Sequence, residues 1–313
     1  MLRYVLNRVA LGLVVLFGLA IATFLIIHLV PGDPVRQALG GRASPDQIEQ
    51  LRHQLGLDDS LPAQFSTYLS DSVTGQFGTS FLQNTPVSEL VSQRIAPSAI
   101  LIAYGLVVSL LIGVPLAILA ALHPNGLVDH SVRLVATFSF AMPLFWLGLV
   151  LALIFGLKLD IFPVSGYQTG IDGIAKTLTL PAVTLGLALT VIVVRTLRSS
   201  LLEVLQSDYI DAARARGLSE RRIVAKHAMR NAVMPTITIL SINIGFLIGG
   251  TVVLEQVFQI PGLGSLLVES VERRDYEVVQ TLVLLAGATV VAVNLCADIL
   301  QAAIDPRVRL AGR

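Results

Sequence analysis

Six stretches of roughly 20 apolar residues dominate the sequence, at 9–30, 98–122, 134–157, 178–197, 233–256 and 279–304. An α-helix rises 1.5 Å per residue, so about 20 residues cross the roughly 30 Å of bilayer hydrocarbon. Hydrocarbon offers no partners to backbone amides and carbonyls, which restricts spanning segments to helices and closed barrels. Runs of this length are helices. With 54% hydrophobic and 14% charged residues and a mean hydropathy of +0.76, the chain lies well outside the range of soluble globular domains. The expected fold is an all-α membrane protein with six transmembrane helices.

The charges orient these spans. Arg3 and Arg8 precede the first one; Arg195, Arg198, Arg214, Arg216, Arg221, Arg222, Lys226 and Arg230 are assigned to the connection between the fourth and fifth; Arg307, Arg309 and Arg313 follow the sixth. The short loops opposite carry Lys158, Lys176, Arg273 and Arg274. Because cytoplasmic loops carry the excess of Arg and Lys, both termini are expected in the cytoplasm. The first apolar run follows two arginines and contains Ala20-Ile21-Ala22, as a cleaved signal would. It continues to Val30, however, beyond the 7–15 residues of a signal's apolar region, and reads as an uncleaved span. The single cysteine, Cys296, lies in the sixth span and provides no intrachain disulfide.

Between the first two spans, residues 31–96 read as a small helical cap on the outer side. Ser44-Pro45-Asp46-Gln47 opens one helix, with Ile48, Leu51 and Leu55 at helical spacing up to Gly56. Ser60 and Pro62 open a second, with Phe65, Tyr68 and Leu69 on one face and Gly75 at its end. Helices lying on the membrane and a docking platform for an external partner both fit this pattern. A second outer loop, 257–278, contains "FQIPGLGSLL" (258–267), where Pro261, Gly262 and Gly264 punctuate a run too short to cross. It reads as a re-entrant or interfacial turn and a candidate outer gate.

Catalytic signatures are weak. "GIDGIAKT" (170–177) approaches a phosphate-binding loop, but Ala175 replaces its second glycine and no strand precedes it. The five histidines show no metal or triad spacing. No cofactor or metal is expected in this chain, no catalysis, and no nucleic acid partner. Ionisable groups inside a bilayer are costly and mark function or helix-to-helix bonding. Glu255 and Asp298, with Asn243 and Asn294, are the candidates for lining a path. An ion-coupled secondary transporter of small solutes is the alternative they favour, although a proton relay needs more such groups in series and no internal repeat accompanies them.

Residues 211–231, "DAARARGLSERRIVAKHAMRN", hold six basic and two acidic residues. Their pattern resolves into two short helices. Ser207 caps the first, Asp208 and Asp211 occupy its opening turn, Arg214 and Arg216 its last, and Gly217 supplies the left-handed residue that ends it. Leu218 and Ile223 flank Ser219 as a hydrophobic staple, Glu220 favours the new N-terminus, and the second helix runs to about Arg230. Ordering such a loop costs roughly 1–2 kcal/mol per residue, more than a simple reversal of direction requires. A helix-Gly-helix elbow that binds a partner and a positive-inside anchor are both consistent with it.

"YIDAARARGL" resembles the cytoplasmic loop of ABC-importer permeases, whose motif is Glu-Ala-Ala, three residues, Gly, with Asp211 here in place of Glu. "MLRYVLNRV", "HLVPGDP" (28–34), "FGTSF" (77–81), "FWLGLVLALIF" (145–155), "FPVSGY" (162–167), "GLSERRIVAKHAMRNAVMP" (217–235), "IPGLGSLLVESVERRDYEVVQ" (260–280) and "DPRVR" (305–309) resemble the B-type permease subunit of dipeptide, oligopeptide and nickel uptake systems. One departure is that Arg230 stands where the general motif has proline, the first being Pro235. The peptide branch shares that delay.

The resemblance implies a type I permease of a bacterial inner membrane. It would comprise a first span (1–30), an extracytoplasmic segment (31–96) and a five-helix core (97–313) that includes a coupling loop at 198–232. The implied partners are a second permease, two cytoplasmic ATPases that bind ATP and magnesium, an external solute-binding protein and membrane lipid. Asp208, Tyr209, Asp211, Ala212, Ala213, Arg216, Gly217, Leu218 and Ser219 would contact an ATPase.

Overall fold

In a computed structural model, residues 2–29, 44–54, 58–80 and 82–304 are described. Leu55, Gly56, most of "HLVPGDP", Phe81 and the C-terminal "DPRVR" lie outside the described residues. The described residues are predominantly helical, and the chain divides into two compact units, Met1–Ala96 with Ser265–Ala292, and Pro97–Gly264 with Val293–Arg313. Among the described residues the α-helices are α1 (Leu2–Leu29), α2 (Pro45–Gln54), α3 (Leu61–Thr74), α4 (Val87–Leu122), α5 (Leu127–Ala141), α6 (Leu144–Leu151), α7 (Ile171–Thr177), α8 (Thr179–Leu205), α9 (Asp208–Ala215), α10 (Glu220–Arg222), α11 (Met229–Val257), α12 (Leu263–Glu272) and α13 (Tyr276–Ile304). A two-residue hairpin pairs β1 (Thr79–Ser80) with β2 (Thr85–Pro86).

Among the described residues, α1, α4, α8 and α13 are long and apolar enough to cross a bilayer on their own. Two bent pairs bring the total to six. The expected third span is not one helix. α5 and α6, with its π-helical continuation Ala152–Lys158, meet at 101°. Pro143 accounts for the break: it lacks an N–H and forces Met142 into extended backbone, φ −84° and ψ 131°. The expected second span begins earlier than residue 98, at Val87, and continues through Pro97 and Pro115.

In the first unit, α3 is committed to α1. Phe65 stands edge-on to Phe17 and Phe24, with ring centroids 6.0 and 5.3 Å apart. Tyr68 stacks on Phe24, its hydroxyl 3.3 Å from that of Thr23, and Gln64 Oε1 lies 3.0 Å from His28 Nε2. Phe17 belongs to the apolar window of α1, so α3 rests along the C-terminal half of the first span. Ser60 does occupy the position before α3, but its carbonyl, not its hydroxyl, serves the first turn. Gly75 ends the helix at φ 76°. α1 and α13 approach closely at glycine, since a methyl on Gly12 would lie 2.5 Å from Val291 Cγ1.

In the second unit α8 is the central element. Two thirds of its apolar window (67%) is buried, against 6% for α13. Leu178, Leu185 and Leu189 join Leu101, Leu247, Leu254, Phe258 and Ile260 in one core cluster. Leu197 and Leu201, further along α8, join Ala117, Ile210, Ala213, Ile223 and Ala232 in a second. This second cluster is what holds the elbow.

Candidate functional site: elbow, cavity and buried carboxylate

The elbow starts from backbone geometry. Ser207 is extended (φ −82°, ψ 147°), and its carbonyl accepts from the amides of Ile210 and Asp211. Its hydroxyl does not cap α9 as the sequence implied. It donates instead to the Val204 carbonyl at 2.5 Å, one of the last carbonyls of α8, which also accepts the Ser207 amide at 3.1 Å. α9 ends as expected, with Gly217 at φ 76°. The Gly217 amide donates to Arg214 O (2.9 Å) and the Leu218 amide to Ala213 O (3.3 Å), the paired bonds of a Schellman motif.

Arg214 braces the bend. Its Nε donates to Glu220 Oε1 at 2.8 Å, and its Nη1 to Asp211 Oδ1 at 3.0 Å and to the Leu205 carbonyl at 3.3 Å. The Glu220 bond first, then the Asp211 bond, holds the guanidinium pKa above its usual value. Each exposed ion pair contributes at most about 1 kcal/mol, but together they span the Gly217 turn from both sides. Asn231 Nδ2 donates to the Tyr209 hydroxyl at 2.9 Å, which ties α9 to α11.

The second half of the elbow is not a separate helix ending near Arg230. α10 passes through a π-helical segment, Ile223–Ala228, directly into α11. The small residues also divide. Ala213 is buried with Ile210 and serves internal packing, while Asp208, Tyr209, Asp211, Ala212, Arg216, Gly217 and Ser219 are exposed and Leu218 is half-buried. Arg216, Arg221, Arg222, Lys226 and Arg230 make no ion pair among the described residues.

The path and gate candidates are not gathered into one place. Asn243 lines a cavity of about 580 Å³ between α8 and α11, together with Arg195, Thr196, Ser199 and Ser200 and an apolar wall of Val191, Ile192 and Ile239. Asn294 and Asp298 are one turn apart on α13 and are not among its lining residues. Glu255 lies twelve residues beyond Asn243 and is fully buried. Ser98 Oγ donates to its Oε1 at 2.5 Å and accepts from the Leu263 amide at 2.8 Å. The candidate gate folds over this carboxylate: after Pro261, a methyl on Gly262 would overlap the Glu255 carboxyl, and one on Gly264 would lie 2.6 Å from Val252 Cα. These glycines permit close approach as well as a turn.

Sequence reasoning missed three features. Arg195 and Arg198 are not loop residues but lie inside α8, which continues to Leu205. Arg198 forms a bidentate pair with Asp129, which is fully buried. Ser98, 157 residues from Glu255, gives no local signal of its bond. Among the described residues no group of three His, Cys, Asp or Glu side chains forms a metal site.

Comparison with known proteins places this architecture. Residues 113–310 match the model of the binding-protein-dependent transport system inner membrane component, and residues 1–102 that of its N-terminal region. The glutathione transport system permease protein GsiC of Escherichia coli (strain K12) is 40% identical over 310 residues, 99% of each chain. A candidate peptide permease protein of Brucella suis biovar 1 (strain 1330) is 38% identical over 318 residues, 99% of this chain and all of that one. Among solved structures, a chain of the inward-facing MetNI methionine ABC transporter superposes with a TM-score of 0.57 at 18% identity, covering 69% of this chain and 96% of its own, a likeness of fold. The chain belongs to the inner membrane components of binding-protein-dependent transport systems, as a permease subunit of an ABC importer in the peptide, oligopeptide and nickel family.

Proposed function

We propose that this chain forms half of the translocation pathway of an importer of short peptides and couples it to ATP hydrolysis through the elbow. The observation that carries the coupling role is the elbow itself. Its inward face is packed, its bend is braced by Arg214, and its outward face combines small residues with cations that have no counter-ion among the described residues. Such a surface fits a partner of complementary charge. Asp208, Tyr209, Asp211, Ala212, Arg216, Gly217 and Ser219 would meet an ATPase, with Ala213 and Leu218 supporting them from beneath.

The full assembly would contain this chain, a second permease resembling it, two cytoplasmic ATPases and an external binding protein. Both termini and the elbow would lie in the cytoplasm. ATP and magnesium would be held by the ATPases, so this subunit would carry out no chemistry. Closure of the ATPase pair would then rock the bundle as a rigid body. Relatives named for glutathione and for peptides support a substrate with a peptide backbone and free carboxylates.

The test is to reconstitute the assembly with Gly217→Glu and, separately, Ala212→Glu. A methyl at Gly217 meets nothing within 4 Å, but its φ of 76° strains any side chain by about 1–2 kcal/mol. Ala212 is exposed on a regular helix, so glutamate there leaves the fold intact. Both variants are expected to lose peptide uptake and peptide-stimulated ATPase activity. Survival of both activities in Ala212→Glu refutes the coupling role, and uptake driven by an ion gradient without ATP refutes the importer reading in favour of a secondary transporter.

A further inference from the structure

Two arginines one turn apart on α8 have opposite surroundings. The Arg198 guanidinium is matched by Asp129, with Nε and Nη2 at 2.5 and 2.6 Å from the two carboxylate oxygens. Arg195 faces the cavity and has no hydrogen-bond or ion-pair partner among the described residues. It is not at the helix end. α8 is centred at residue 192, so Arg195 lies about 4.5 Å along the axis from the middle of the helix. An arginine inside a predominantly apolar helix, facing a cavity and left unmatched among the described residues beside one that is fully matched, marks a site for an anion.

The neighbouring side chains define which anion. Ser199, Ser200 and Asn243 supply uncharged donors and acceptors, Ile192 and Ile239 an apolar wall, and no acidic residue lines the cavity. One forked guanidinium with neutral polar groups beside it suits a single carboxylate followed by an amide. The volume of about 580 Å³ falls within the range of small-molecule sites. We propose that Arg195 is the carboxylate-recognising residue of a substrate station in the translocation path. It receives the C-terminal carboxylate of a peptide in transit while Asn243 and Ser199 bond the adjoining peptide group and the apolar wall accommodates varied side chains. This inference rests on the peptide-import reading above.

The experiment uses the complete transporter in vesicles of zwitterionic lipid. Cys296→Ala removes this chain's only cysteine, and Thr196→Cys, at a lining position given no part in binding, then reports the cavity by its rate of reaction with a charged methanethiosulfonate during turnover. A dipeptide with a free carboxylate is expected to slow labelling at least fivefold, its C-terminal amide less than twofold. Arg195→Gln is expected to abolish the slowing and Arg195→Lys to retain part of it. Equal protection by the amide, or protection unchanged in Arg195→Gln, overturns the proposal. So does slowing that appears only when anionic lipid is added, which assigns the site to a lipid phosphate. Uptake measured alongside separates the two readings. Wild-type vesicles that import no peptide refute peptide import and this inference with it; import that Arg195→Gln reduces equally for free and amidated peptide overturns this inference alone, and assigns Arg195 to a contact with the second permease.

Discussion

Replacement of Gly262 by alanine tests the packing of the gate segment over Glu255. The added methyl would overlap the Glu255 carboxyl, and that carboxyl has nowhere to go: its side chain is fully buried, and Ser98 holds Oε1 at 2.5 Å. Ser98 is itself held by the Leu263 amide at 2.8 Å. Making room means giving up the Ser98 bond, about 1–3 kcal/mol, and overpacking a dense region, about 1–3 kcal/mol more. We expect a loss near 4 kcal/mol. At about 2 °C per kcal/mol, the purified protein in detergent should lose monodispersity roughly 8 °C earlier on heating. Gly249→Ala is the control, because a methyl there meets nothing within 4 Å and alanine is the better helix former by up to about 1 kcal/mol. The decisive measurement is a double-mutant cycle. Glu255→Ala removes the obstacle, so Gly262→Ala on that background should cost about 1 kcal/mol, a coupling of about 3 kcal/mol. A Gly262→Ala protein within 1 °C of wild type, or an equal loss on both backgrounds, refutes the reasoning.

Asp129→Asn leaves the half-buried Arg198 without its counter-charge and should destabilise the second unit by about 2–3 kcal/mol, whereas Asp129→Asn combined with Arg198→Met should recover most of that loss in the same thermal assay. Phe65→Ala should free α3 from α1 at a cost of about 1–2 kcal/mol, read as faster amide exchange in 61–74 with no change in 179–205. Burial chiefly raises the Tyr68 phenol above its ordinary pKa of 10.0. The proton is therefore retained more strongly in the folded state, so its contribution is fully present below pH 10 and is lost as pH rises through the folded value. Alkaline loosening of α3, followed by exchange or phenolate absorbance, should accordingly shift in Tyr68→Phe.

The spans were legible because the bilayer imposes one rule, backbone self-satisfaction over about 30 Å, that hydropathy reports directly. Hydropathy does not register direction, and so the bend at Pro143 was hidden within an unbroken apolar window although the proline was in view. Gly217 was legible because only its backbone conformation mattered. The hydroxyl of Ser207 was not, because two sets of helix-end groups compete for it: the amides opening α9 and the carbonyls closing α8, and Val204 O wins. The continuation of the elbow into α11 had no sequence marker, since the π segment carries ordinary residues and Pro235 sits inside a helix held by its surroundings. The Ser98–Glu255 bond and the Arg198–Asp129 pair join residues 157 and 69 positions apart, beyond any local pattern.

The charges inside the apolar helices show why a count along the chain needs the fold. Asp129 and Arg198 neutralise one another, Glu255 is held by a hydroxyl, and Arg195 alone of these faces a cavity. Removing Arg195 and Arg198 from the loop tally leaves Arg214, Arg216, Arg221, Arg222, Lys226 and Arg230, six cations, against Lys158, Lys176, Arg273 and Arg274, four, in the short loops opposite. The charge bias behind the proposed orientation therefore keeps its sign without the two intrahelical arginines, with a smaller margin that Arg3 and Arg8 widen again. On that count, neutralising Arg195 is expected to leave the proposed orientation unchanged. A change in cysteine accessibility at the two ends of Arg195→Gln would mean that the residue anchors topology, whereas unchanged ends with altered peptide handling would leave it its place in the path.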